Sequence, residues 1–90
     1  MHAIMFKPEE KVKIIDEYKV HETDTGSVDV QIALLTEEIK RLLEHFKTHK
    51  KDLHSKRGLL KMVAKRRKLL KVLAKEDEKR HNALVKKLGL

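Results

Sequence analysis

Two clusters of polar residues in this 90-residue chain carry groups from which a site could be built. The first is Asp24-Thr25-Gly26-Ser27. Dimeric aspartic proteases also use an Asp-Thr-Gly triplet, but they hold that Asp in a β-rich interface where two carboxylates share a proton. Here the tetrapeptide runs straight into a strongly helical segment, which argues against that chemistry. The second cluster is His45, His49, Asp52, His54 and Ser55. His45 and His49 are four residues apart, so on a continuous helix they share a face and could ligate a metal with Asp52 or His54. The zinc-protease pattern needs Glu directly after the first His, and Phe46 stands there, so no metal site is expected. Groove recognition suits these residues better. Imidazole, carboxylate and hydroxyl groups carry short donors and acceptors that fit the shallow minor groove of an RNA helix. For Asp52, two roles stay open: capping a helix, and accepting a hydrogen bond from a guanine amino group.

Charge points to the same class of partner. The net charge is +8, but its distribution says more. Residues 1–46 hold 6 Lys/Arg against 10 Asp/Glu, residues 47–75 hold 12 against 1, and residues 76–90 hold 4 against 3. A block of +11 repels itself, and a polyanion relieves that repulsion. A solvated Lys-rich face would come with interleaved Glu, whereas Asp52 is the only acid in the block. With one Tyr, two Phe and no Trp, the chain lacks the aromatic platform that stacks single-stranded bases, so folded RNA or duplex DNA is expected.

The elements that position these groups are helical. A composition 40% charged and 3% aromatic, with only three Gly and one Pro, favours an all-α class. Pro8-Glu9-Glu10 suits a first turn, and Val12, Ile15 and Tyr18 beside Ile14 mark one buried stripe of a helix over residues 8–19. A polar loop follows, and Ser27 caps a second helix reaching Lys47. Its residues Val28, Ile32, Leu35, Ile39, Leu42 and Phe46 alternate steps of four and three and form one seam. The segment 48–52 turns the chain, and Asp52 caps a third helix reaching Lys75 with Leu60, Val63, Leu70 and Leu73 on its apolar side. Asp77 caps a short last helix carrying Leu84, Val85 and Leu88, and Gly89 ends it. The expectation is one domain over residues 1–90: a long antiparallel helical hairpin, a short N-terminal helix and a short C-terminal helix.

Cysteine is absent, Met1 to Lys7 lacks the apolar stretch of a signal peptide, and no run approaches the roughly 18 apolar residues of a membrane span. A cytoplasmic protein with no membrane partner is expected.

Asp24-Thr25-Gly26-Ser27, Gln31-Ile32-Ala33-Leu34-Leu35-Thr36, His49-Lys50-Lys51-Asp52, His54-Ser55, Arg57-Gly58-Leu59-Leu60, Arg66-Arg67-Lys68-Leu69-Leu70 and Lys87-Leu88-Gly89-Leu90 stand in the order found in one family. With these blocks the chain resembles the bacterial ribosomal small-subunit protein fifteen family over nearly its whole length. The resemblance implies a four-helix structural protein, not an enzyme and with no cofactor, that binds small-subunit ribosomal RNA at a three-way junction. It further implies a part in starting platform assembly and a contact with large-subunit ribosomal RNA, among neighbouring ribosomal proteins. Family contacts to the junction map onto Thr25, Gly26 and Gln31. Those to a guanine-uracil/guanine-cytosine groove element map onto His45, Asp52 and Ser55. His49, Arg57, Arg66, Arg67 and Lys68 complete the expected RNA contacts, and the free protein is expected to be a monomer. Two departures stand out: Leu53 replaces a usual His, and Val72 replaces a usual junction-facing Tyr. A general basic DNA-binding bundle and a helical module for an acidic protein partner are the competing classes.

Overall fold

The computed structural model describes residues 6–24 and 26–90, so Thr25 lies outside the described residues. Four helices follow one another: α1 (Pro8–Tyr18), α2 (Val28–Phe46), α3 (Leu53–Glu76) and α4 (Glu78–Leu88). Each boundary falls within a residue of the position its cap chemistry predicts. Ser27 accepts from the Val30 amide at 3.2 Å, Asp52 from the Ser55 amide at 3.0 Å and Asp77 from the Arg80 amide at 3.0 Å. Gly89 closes α4 at φ 71°, where the Leu90 amide donates to the Val85 carbonyl and the Gly89 amide to Lys86, a pairing that needs the left-handed backbone.

Helix α2 is the hub. It packs against α1, α3 and α4, and it therefore buries Val30, Ala33 and Thr36 as well as the predicted seam residues Ile32, Leu35, Ile39 and Leu42. Antiparallel pairing with α3 shows in two cross-contacts: Ile32 clusters with Leu73, and Thr36 accepts a hydrogen bond from Arg66 at 3.3 Å. Ile32, Leu73 and Leu84 join α2, α3 and α4, with Tyr18, Val28, Leu69, Leu70 and Leu88 packed around them. The molecule spans 39 × 27 × 18 Å because α3 runs along it for 24 residues and buries only Ser55 and Leu73.

Two expected core positions fall outside it. Val12 is 55% exposed, because α1 lies shallowly on α2 and buries no residue fully. Leu60 is 70% exposed, because near the hairpin turn α3 has only α2 to pack against. Polar clips compensate at both ends of α1. Arg41 pairs with Glu10, which holds that carboxyl below its ordinary value, and its guanidinium lies 4.5 Å from the Phe6 ring centre. Lys87 donates to the Glu17 carbonyl at 2.5 Å and sits 4.3 Å from the centre of the Tyr18 ring.

A second clip ties α4 to the head of α2. Arg80 donates through Nε at 2.9 Å and Nη2 at 2.6 Å to Oδ1 of the buried Asp29. Breaking a fully buried pair costs more than this one, since the Arg80 side chain is 38% exposed and can turn to water. Asp29→Ala is expected to lower the unfolding free energy by about 2 kcal/mol. Urea unfolding should show a lower midpoint at unchanged slope; an unmoved midpoint would contradict it.

Candidate nucleic-acid interface

The first loop is built by Asp24. Its carboxylate is buried and accepts from the amides of Val20 at 2.9 Å, Gly26 at 3.1 Å and Ser27 at 2.8 Å. Ser27 and these amides hold the carboxyl well below the usual carboxylate range. So Asp24 is an organiser of the turn. Gln31, from the first turn of α2, donates to the Gly26 carbonyl at 2.9 Å, so the two predicted residues form one unit on an exposed loop.

The second polar cluster sits on the turn between α2 and α3. Asp52 accepts from three donors: the Ser55 amide, the Ser55 hydroxyl at 2.6 Å and His45 Nε2 at 2.8 Å. Ser55 contributes most, with His45, to holding the Asp52 carboxyl well below its ordinary range, so the group is a fixed negative acceptor. His49 stacks on His45 with ring centres 4.3 Å apart and planes 6° from parallel. Thr48 links them, its hydroxyl lying 2.8 Å from His49 Nδ1 and 3.3 Å from the His45 carbonyl. Nearly parallel rings direct their lone pairs along parallel planes, which does not suit convergence on one ion. Among the described residues no three His, Cys, Asp or Glu gather into a metal-holding group.

Ser55 is brought into this cluster in a particular way. It is only 2% exposed, and its hydroxyl is engaged by Asp52, so it orients the carboxylate from beneath. His54 and Leu53 are exposed beside it. Next to the turn, an open apolar groove is lined by Phe46, Leu59 and Leu60 between Lys50 and Lys56.

Between the two loops lies the basic face of α3. Arg57, Lys61, Lys65, Lys68, Val72 and Lys75 recur at helical spacing, and all are exposed. Arg57 and Lys68 therefore share a stripe with Val72, which is 36% exposed where the resemblance expects a Tyr. Arg67 is exposed about a quarter-turn away, while Arg66 turns inward to Thr36 and is half-buried. Two residues hold roles that the sequence patterns did not assign. Asp24 gives a signal, an Asp two and three residues ahead of Gly and Ser whose amides it can accept. Thr48 gives none, because its value lies in joining two rings.

No helix among the described residues is long and apolar enough to cross a membrane. The family model described as ribosomal protein S15 matches residues 11–90. A small ribosomal subunit protein uS15 from Oceanobacillus iheyensis is 66% identical over 82 residues, covering 91% of this chain and 92% of that protein. The uS15 proteins of Staphylococcus carnosus, 62% identical over 82 residues with 91% and 92% covered, and Oleidesulfovibrio alaskensis, 58% identical over 87 residues with 97% and 98% covered, are similar to it as well.

Proposed function

The chain belongs to the ribosomal protein S15 family, and from that premise we propose that it is a structural protein of the small ribosomal subunit whose helices clamp a three-way junction of the subunit's RNA. The observation that carries this reading is the placement of two polar loops at opposite ends of α2, beside the basic stripe of α3. From Gln31 to His45 the helix rises roughly 20 Å, enough to engage two RNA helices at once and fix the angle between them. Gly26 and Gln31, with Thr25, meet the junction. His45, His49 and Asp52, with Ser55 behind them, read the guanine-uracil/guanine-cytosine groove element.

Cations on α3 supply the sequence-independent part. Arg57, Arg67 and Lys68 face phosphates, and Lys68, Lys71 and Lys75 compensate for Val72 at the position where the family resemblance implies a Tyr. Arg66 is the weakest of the candidate contacts, because Thr36 holds it against α2. The role is scaffolding, without catalysis or cofactor. The protein acts as a monomer in the cytoplasm, nucleates platform assembly next to other ribosomal proteins and contributes to a bridge with large-subunit RNA.

Binding to a three-way-junction RNA as a function of salt tests the clamp. With about five phosphates neutralised, the log-log slope should be about −4, taking the duplex coefficient as a guide. A flat dependence would remove the phosphate clamp from the account. Duplex DNA competing as well as the junction would favour a general basic DNA-binding bundle.

A further inference from the structure

Near its turn the helical hairpin leaves apolar surface without cover. Helix α4 packs against both α2 and α3 where Ile32, Leu73 and Leu84 meet, and so completes three-helix packing at that end. Among the described residues no helix does this at the turn end. There Phe46 of α2 and Leu59 and Leu60 of α3 line an open groove between Lys50 and Lys56. Leu60 is 70% exposed, and so is Leu53, seven residues before it on the same line of α3. Leu43, three residues before Phe46 on the same side of α2, is 53% exposed. Single exposed leucines are ordinary, but several gathered about one apolar groove mark an interaction surface.

The edges of this groove are cationic and unopposed. Neither Lys50 nor Lys56 pairs with an acid among the described residues. Nearby acids are committed elsewhere: Glu44 pairs with Lys47 at 3.0 Å, and Asp52 accepts from Ser55 and His45. An occupant therefore has to bring apolar side chains for the floor and acids for both edges. RNA brings the negative charge but no aliphatic surface, and the floor holds a single ring, Phe46, so bases find no stacking platform. The groove is also turned away from the basic stripe. At about 100° per residue, Leu53 and Leu60 lie roughly a quarter-turn around α3 from Lys61, Lys65 and Lys68.

We propose that this groove docks an amphipathic helix of a partner protein, with apolar side chains on one face and carboxylates along both flanks. The occupant packs against α2 and α3 as α4 does at the other end, and Lys50 and Lys56 close on its acids. Shallow apolar packing fastened by a charged clip already holds α1 to α2, where Arg41 pairs with Glu10 beside Phe6. The groove repeats that arrangement with the cations present and the acids left for a partner to supply. Docking leaves Lys61, Lys65 and Lys68 open, so the partner and RNA can be bound together. The acidic-partner class raised by the charge pattern thus has a surface of its own, and it stands whether or not the RNA is a three-way junction.

Titration of the full-length protein with a synthetic helical peptide, followed by NMR, tests it. The probe carries leucines at i, i+4 and i+7 and glutamates along both flanks. Resonances of Phe46, Leu59 and Leu60 should shift while those of Val30 and Ile32, at the far end of α2, hold still. No shift in the groove at about 1 mM probe overturns the proposal. Exchanging the probe's glutamates for lysines, or its leucines for serines, should weaken binding about tenfold or more, and equal binding of all three peptides overturns it. Leu60→Ser changes an exposed position, so it should keep the thermal midpoint and bind the glutamate probe about tenfold more weakly. Wild-type affinity in that variant removes the groove as the docking site. Lys50→Glu combined with Lys56→Glu should make the lysine probe the tighter of the two, and an unchanged preference overturns the charge matching. Plain duplex RNA is the competing occupant. Shifts at Lys61, Lys65 and Lys68 that leave the probe bound support separate surfaces, whereas RNA that fills the groove and displaces the probe overturns the proposal.

Discussion

Asp52→Ala is expected to weaken selective junction binding on the order of a hundredfold, while binding to plain duplex RNA holds steady or tightens slightly. The carboxylate has about four lone-pair positions, and the Ser55 amide, the Ser55 hydroxyl and His45 Nε2 use three of them. One remains for a further donor, which the proposed function places in the groove. Removing the side chain removes that acceptor, frees His45 to rotate and uncaps α3. Phosphate contacts do not involve Asp52, so the salt slope should stay as it was, and deleting a negative charge can only help non-specific attraction. Asp52→Asn separates the roles, because Asn caps helices about as well as Asp, yet its amide hydrogens must face a donor that the carboxylate now satisfies. The Asn variant should keep a near-wild-type thermal midpoint and lose most of the selectivity. Wild-type selectivity in Asp52→Asn would leave Asp52 as a cap alone.

The contrast between what was readable and what was not follows from the range of the forces. Ser27, Asp52, Asp77 and Gly89 act on amides or carbonyls a few residues away, so their chemistry can be read from neighbours in the sequence, and all four stand where expected. The middle of the α2 seam, Ile32, Leu35, Ile39 and Leu42, was legible for a similar reason: a helix covered on several sides buries its periodic residues wherever its neighbours lie, while Val28 and Phe46 at the two ends are half-buried. Val12 and Leu60 were misjudged because their exposure depends on how deeply a second helix covers them, which no local spacing encodes. Asp29 and Arg80 are 51 residues apart, and nothing in either neighbourhood announces the other.

At the candidate site the same distinction holds. Residue types at the turn pointed to groove chemistry, but their division of labour did not show. Ser55 and His49 both stood among the expected contacts, and the first turn of α3 buries Ser55 under Asp52 while His49, in the turn before that helix, stays exposed. Arg66 and Arg67 are adjacent cations with a quarter-turn between them, so one is drawn to Thr36 and the other to solvent.

Leu73→Ala should be the most damaging core substitution, costing about 3 kcal/mol. That is a large part of the roughly 5–10 kcal/mol that holds a domain this small. Leu73 is fully buried and meets Ile32 of α2 and Leu84 of α4, so the cavity opens where three helices converge and no single helix can shift to close it. Leu60 makes the comparison sharp. Apolar periodicity put both residues on one side of α3, yet Leu60 is 70% exposed, and Leu60→Ala should stay within about 0.5 kcal/mol of wild type. Thermal unfolding should therefore drop by more than about 10 °C for Leu73→Ala and hardly move for Leu60→Ala. Equal effects would mean that α3 sits on α2 in another register. Asp52 lies roughly 30 Å along α3 from Leu73, so the folded fraction of Leu73→Ala keeps its turn intact. Junction RNA at about 100 times its dissociation constant should then restore about 2.7 kcal/mol, most of what the cavity removes. Failure of RNA to raise the midpoint would show that the core near α4 and the turn between α2 and α3 are not independent after all.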